Sequence, residues 1–138
     1  RAGVAIRLIS DGDVAGVFWT TESERSGVDV YFGSGGAPEG VLAAAAIRCA
    51  GGQMQGRLLP ENEVETARAR AMGHADVSKK LTLDDMVRGD VVFAASGVTA
   101  GSMFDGVLFE AGDVVVESLI WDSFNARKAR VRTRLGGD

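Results

Sequence analysis

A chain of 138 residues and 14.4 kDa has the size of one ordinary domain, long enough for a single core to bury most of its apolar surface. Hydrophobic residues make up 46% and charged residues 25%, which excludes a disordered tail or a collagen-like chain. The formal charge of −4 hides an uneven distribution: Arg127, Lys128, Arg130, Arg132 and Arg134 crowd the C-terminal end, and without those five the other 10 basic residues face 19 acidic ones, a balance of −9. An acidic body repels phosphate backbones, so nucleic acid is not an expected partner.

A single Cys allows no disulfide framework within the chain, which fits a reducing, cytoplasmic setting. The longest nearly apolar run, residues 41–47, is too short to cross a bilayer, and the N-terminus has no basic-then-apolar signal pattern, so no membrane association is expected. The chain starts at Arg1, without Met, and enters strand-like sequence within a few residues, as if it were part of a longer polypeptide.

Residues 4–9 are β-branched and apolar and read as a strand that runs into the polar turn Ser10-Asp11-Gly12-Asp13. Residues 14–20 suit a short helix, and residues 28–32 a second strand. Gly33-Ser34-Gly35-Gly36-Ala37 is a flexible turn, and Pro38 is placed as the first residue of a helix reaching about Cys49, with Glu39 in its first turn. The alanines at 43–46 give that helix a slim profile suited to packing on a sheet, and Gly51-Gly52 ends it.

Farther on, residues 53–59 read as a strand and residues 62–72 as a helix stopped by Gly73. Thr82 and Asp85 resemble a capping box at the head of a short helix reaching Arg88. Residues 91–95 read as a buried strand, followed by strands at 107–110, 114–121 and 128–134. Helices and strands alternate for two thirds of the chain and strands then come in succession. This order predicts an α/β fold, a mixed β-sheet flanked by helices on both faces.

Chemistry concentrates at the carboxyl ends of the early strands, where ligands bind in open α/β sheets. Backbone N–H groups freed by glycine at a helix N-terminus favour an anion such as phosphate, whereas Glu39 at the same place repels it unless a cation bridges the two. Oxygen ligands of this kind suit Mg2+ or Mn2+. Glu39 also reads as a plain complement to the helix dipole, and Asp11-Gly12-Asp13 as an ordinary turn. The dinucleotide fingerprint fails because Pro38 stands where its third glycine belongs, and a Walker loop fails because Val41 and Leu42 stand where Lys and Ser or Thr are needed. Cys49 reads as core and His74 as a loop residue, so neither supports nucleophilic catalysis. The alternating charges Lys128, Arg130, Arg132 and Arg134 share one face of a strand and read as protection of a sheet edge.

The segments Arg7-Leu8-Ile9-Ser10-Asp11-Gly12-Asp13-Val14-Ala15-Gly16 and Gly33-Ser34-Gly35-Gly36-Ala37-Pro38-Glu39-Gly40-Val41-Leu42-Ala43-Ala44-Ala45 resemble signature segments of the class II fructose-1,6-bisphosphatases. The likeness continues through Gly51-Gly52-Gln53-Met54-Gln55-Gly56-Arg57-Leu58, Asp85-Met86-Val87-Arg88-Gly89-Asp90 and Ala94-Ala95-Ser96-Gly97-Val98-Thr99, and so spans nearly the whole chain. The resemblance implies a metal-dependent phosphatase that removes the 1-phosphate of fructose 1,6-bisphosphate in gluconeogenesis. Its implied fold is similar to that of the lithium-sensitive sugar and inositol phosphatases, and some members also accept sedoheptulose 1,7-bisphosphate. By resemblance, Glu39 is a metal-binding carboxylate for Mn2+ or Mg2+, and Asp11, Gly12, Asp13 and Gly36 contact the sugar substrate.

The family's other metal carboxylates, and the residues that position the attacking water, would lie upstream of Arg1. Residues 1–138 are therefore expected to be one domain, the C-terminal half of a larger phosphatase, with no catalytic residue of its own and no activity without the N-terminal half. Self-association is expected because symmetric oligomers are common among soluble enzymes. Departures from the family pattern occur at Ser96, Ala100 and residues 121–127 and bear on substrate range and on the last hairpin. Two other readings of the same residues are a non-catalytic sugar-phosphate sensor and an oligomerisation module.

Overall fold

The structure is a computed structural model that describes residues 3–10, 12–101 and 103–136. Asp11, expected to contact substrate, lies outside the described residues. Helix α1 (Asp13–Trp19) starts on Gly12, whose φ of 82° is left-handed and strained for any residue with a side chain. A 3-10 turn (Thr20–Glu22) and helix α2 (Ser23–Ser26) follow. The Thr20 and Thr21 hydroxyls donate over 2.7 Å to the carbonyls of Val17 and Phe18, which satisfies the end of α1.

Helix α3 (Ala37–Ala50) begins one residue before the expected Pro38 and ends at Gly51, φ 76°, where the N–H groups of Gly51 and Gly52 return to the carbonyls of Arg48 and Ile47. Ala43, Ala44 and Ala46 are buried, and their small side chains let α3 sit close to α1 and to the sheet at once. Helix α4 (Glu63–Ala71) is capped by the Asn62 side chain, which accepts the Glu65 N–H at 3.0 Å. Strands β1 (Gln55–Gly56) and β2 (Leu81–Thr82) make a short antiparallel ladder. Helix α5 (Leu83–Met86) carries the complete Thr82–Asp85 capping box expected from the sequence.

The main sheet holds β3 (Val92–Ser96), β4 (Leu108–Glu110), β5 (Asp113–Asp122) and β6 (Arg127–Leu135). One edge of β5 pairs with β4 near its start and with β3 near its end, and the other edge pairs with β6 along its length. The register sets Phe93 opposite Trp121, Leu119 opposite Arg130 and Val115 opposite Arg134, so these residues share one face. Helices α1 and α3 cover that face. Phe18, Ala46, Cys49, Phe93, Phe104, Leu119 and Trp121 form the main core, with the Phe18 and Trp121 rings stacked at 4.8 Å between centroids. A second cluster of Val17, Ala43 and Ile47 packs with Tyr31 and Met54.

The helix-and-sheet class expected from the sequence is the one the chain adopts, and each ladder among the described residues is antiparallel. Cys49 is core, its thiol donating to the carbonyls of Val91 and Trp121. Lys128, Arg130, Arg132 and Arg134 do share one face of β6, where three of them meet carboxylates: Arg130 with Glu117 at 3.1 Å, Arg132 with Glu110 at 2.6 Å, and Arg134 with Glu110 at 2.8 Å and Asp113 at 3.0 Å.

Three strand expectations differ from the structure. Residues 4–9 and 28–32 join no ladder among the described residues, and of residues 53–59 only Gln55 and Gly56 pair. An alternating apolar pattern becomes a strand only beside a partner that satisfies its backbone, and Leu8 and Phe32 stand 90% and 91% exposed.

Candidate functional site

The sequence places two glycine-bearing turns near one another in space. In the first, left-handed Gly12 turns the chain into α1 so that Asp13 occupies its first helical position. In the second, Gly33 to Gly36 leads into α3, whose first turn carries Pro38 and Glu39. Gly36 is the N-cap in extended conformation and makes no side-chain cap, so α3 opens on backbone groups and the Glu39 carboxylate.

Tyr31 joins the two turns. Its hydroxyl donates to Asp13 Oδ1 at 3.1 Å, and its ring lies between α1 and the glycine turn. A Cβ at Gly16 would stand 2.6 Å from Tyr31 Cε2 and 2.9 Å from Ile9 Cδ1, and one at Gly33 would strike the Tyr31 hydroxyl. Both glycines are thus required by the close approach of a rigid ring. Burial pushes the Tyr31 phenol above its ordinary value, and the neighbouring Asp13 carboxylate pushes it further the same way. Tyr31 was not singled out as a site residue by the sequence, where it reads as one more strand residue; the signal was its place as the chain's one tyrosine, two positions before the glycine turn.

The carboxylates border the same turn. A side chain at Gly35 would displace Asp13 Oδ2, and one at Gly36 would displace Glu39 Oε2. Successive Cα atoms are about 3.8 Å apart, so Asp13 and Glu39 flank neighbouring residues of one bend. Gly12, Asp13, Gly36 and Glu39 are therefore brought to one place, with Glu39 exposed and Asp13 half-buried. The arrangement offers two oxygen donors and a helix N-terminus to an approaching group. Among the described residues, no three His, Cys, Asp or Glu side chains converge closely enough to hold a metal by themselves. No helix among them is long and apolar enough to cross a membrane.

Comparison with known proteins places this geometry in context. The family described as bacterial fructose-1,6-bisphosphatase, glpX-encoded, matches residues 1–134. Among individual relatives, fructose-1,6-bisphosphatase 1 class 2 of Escherichia coli (strain K12) is 41% identical over 134 residues, covering 87% of this chain and 39% of its own length. The class 2 fructose-1,6-bisphosphatase of Shigella flexneri gives the same 41% identity with the same 87% and 39% coverage. The chain thus spans about two fifths of the length of the curated relatives it matches. The match across both glycine turns and the helices and strands that hold them shows that the chain belongs to the bacterial, glpX-encoded fructose-1,6-bisphosphatase family.

Proposed function

We propose that this chain is the substrate- and metal-contributing C-terminal half of a phosphatase that hydrolyses the 1-phosphate of fructose 1,6-bisphosphate, giving fructose 6-phosphate and phosphate in gluconeogenesis. The observation that carries the reading is the pair of carboxylates, Asp13 and Glu39, at the Gly35–Gly36 bend where α3 begins. Glu39 is exposed there with its carboxylate set against Gly36, and it is the residue that would hold Mn2+ or Mg2+. Two carboxylates with room left by glycine fit a hard cation that takes oxygen ligands. When bound, such an ion neutralises phosphate charge and activates water. Asp13, held by Tyr31, faces the sugar together with Gly12 and Gly36, and Asp11 belongs to the same substrate segment.

The remaining metal ligands come from the N-terminal half of the same polypeptide, without which these residues are inactive. Support for such a partner lies in the two unpaired segments whose Leu8 and Phe32 side chains stand exposed among the described residues. The complete enzyme is cytoplasmic and self-associates.

The test is manganese-dependent phosphate release from fructose 1,6-bisphosphate by the longer polypeptide that contains these residues, measured beside Glu39→Ala. The expected result is activity in the parent and its loss in the variant. Equal activity in both reduces Glu39 to a complement of the helix dipole. Sugar bisphosphate binding without phosphate release in the parent overturns the catalytic reading in favour of a sensor. Phosphate release by the isolated 138 residues overturns the dependence on a second half.

A further inference from the structure

Helix α1 has seven residues, so at 1.5 Å per residue its two ends lie about 10 Å apart. Asp13 stands at one end. At the other, Phe18, Trp19 and Glu22 line a hollow of about 190 Å³ with Arg7, Arg25 and Arg130. A second hollow of about 140 Å³ shares Phe18, Glu22 and Arg130 and adds Lys128 beside Trp121. The two make one groove beside the C-terminal end of α1.

Its charge runs against that of the chain. The protein carries a net −4, yet among the described residues four cations line this groove against one carboxylate, Glu22. Glu22 approaches Arg25 at 3.5 Å, and Glu117 answers Arg130 from outside the groove at 3.1 Å, which leaves two positive charges unmatched among the described residues. A hollow lined by one sign of charge with apolar walls concentrates counter-ions.

The cations are also held in place. The Arg7 guanidinium lies 4.2 Å from the centre of the Trp19 ring, and the Lys128 ammonium 4.6 Å from that of Trp121. Arg130 is fixed by Glu117 and by its bond to the Met103 carbonyl at 3.1 Å. An arginine that rests on an aromatic face keeps its N–H edges free to fork onto an oxyanion, with little side-chain entropy left to lose. Each of the two hollows is by itself smaller than a pocket for a drug-sized ligand, so the group seated in either one is small.

We propose that this groove binds a small phosphate monoester, with the phosphate on the two unanswered cations, Arg7 and Lys128, Arg25 at the rim adding to the field, and the organic part against Trp19 and Phe18. The site is separate from the Asp13–Glu39 bend and does not depend on that bend being catalytic. The two tryptophans of these 138 residues, Trp19 and Trp121, both line the groove, so occupancy is read from the part of the intrinsic fluorescence change that substitutions in the groove remove.

The experiment titrates the longer polypeptide containing these residues with phenyl phosphate and with inorganic phosphate. It is run without divalent metal and in a Glu39→Ala background, so that the bend contributes neither metal nor turnover. Arg25→Glu and Lys128→Glu serve as test variants, with circular dichroism to verify folding; Arg25 is largely exposed and its replacement leaves the core untouched. The expected result is saturable quenching or enhancement by phenyl phosphate, weakened about tenfold or more by each substitution, with inorganic phosphate binding more weakly because it gains nothing from the rings. Equal affinity for the two probes reassigns the site to free phosphate and overturns the monoester assignment. Absence of saturable binding, or binding that both folded variants retain unchanged, overturns the site altogether. Loss of phosphatase activity in the parent polypeptide would refute the proposed function and leave this titration unaffected.

Discussion

The Tyr31 hydroxyl donates a hydrogen bond to Asp13 Oδ1 at 3.1 Å, linking the turn before α1 to the turn before α3 across 18 residues of chain. Because a carboxylate only accepts, the phenol is the donor in this pair, and it holds one carboxylate oxygen in place while the other borders Gly35. Tyr31→Phe keeps the ring between Gly16 and Gly33 and removes only this bond. The expected stability loss is about 1 kcal/mol in chemical denaturation, together with a higher KM for sugar bisphosphate in the active polypeptide.

Because Tyr31 is the one tyrosine, alkaline titration of tyrosinate absorbance reads it alone. Its midpoint is expected above the ordinary value of 10.0, and Asp13→Asn is expected to bring it part of the way down, since burial, the larger cause, remains. A proton held more tightly in the folded state stabilises the fold below the ordinary value. That contribution fades as pH rises through the folded one. A midpoint at the ordinary value would refute the burial of the ring.

Alanine at the glycine bend separates the two carboxylates. Gly36 has φ −65°, so Gly36→Ala carries no backbone strain and acts by moving Glu39. Gly35→Ala moves Asp13 instead. In the active polypeptide, Gly36→Ala is expected to raise the manganese concentration needed for half activity, and Gly35→Ala to raise KM with less effect on the metal requirement.

Leu119, on β5, is 2% exposed within the core cluster that also holds Phe18, Ala46, Cys49 and Trp121. Leu119→Ala leaves a cavity in this cluster, where the Phe18 and Trp121 rings are already stacked on each other. A loss of about 2–5 kcal/mol is expected in denaturant unfolding. A loss below about 1 kcal/mol would show that the core collapses around the missing side chain.

Asp85 is held well below the usual carboxylate range by the Thr82 N–H, by Lys79 and by the Thr82 hydroxyl. A folded value below the unfolded one means that this stabilisation is complete above about pH 4 and is lost as pH falls toward the folded value. The melting temperature of the parent is expected to drop across that acid range. Asp85→Asn is expected to flatten the drop.

Ala126 adopts φ 50° in the turn between β5 and β6, where Asp122 accepts the N–H groups of Phe124 and Asn125. A left-handed residue with a Cβ costs about 1–2 kcal/mol, part of which glycine gives back through a freer unfolded chain. Ala126→Gly is expected to raise stability by about 0.5–1 kcal/mol in thermal unfolding.

Local rules were the most legible in the sequence. Thr82 with Asp85, Gly51-Gly52 after α3 and Gly73 after α4 are where the structure puts a cap and two stops, because caps and left-handed glycines act over three or four residues. The hairpin of β5 and β6 was equally readable, since its partners lie a short turn apart. Residues 4–9 and 28–32 were read as strands from the same alternation, but pairing is a property of two segments and their own sequence names no neighbour. The site showed its carboxylates and glycines in advance. It did not show that Tyr31 ties them together, because the contact depends on how closely α1 approaches the turn, and the space that Gly16 and Gly33 leave becomes visible only once the elements are packed.

Strand β5 has neighbours on both edges for most of its length, whereas among the described residues β6 is bonded along one edge only. Opening β6 leaves β5 still tied to β3 and β4, but freeing the β5 amides requires both sides of the sheet to part. In hydrogen–deuterium exchange, the β5 amides around Leu119 should therefore be among the last to take up label, on the timescale of global unfolding, while the outward amides of β6 exchange through local fraying.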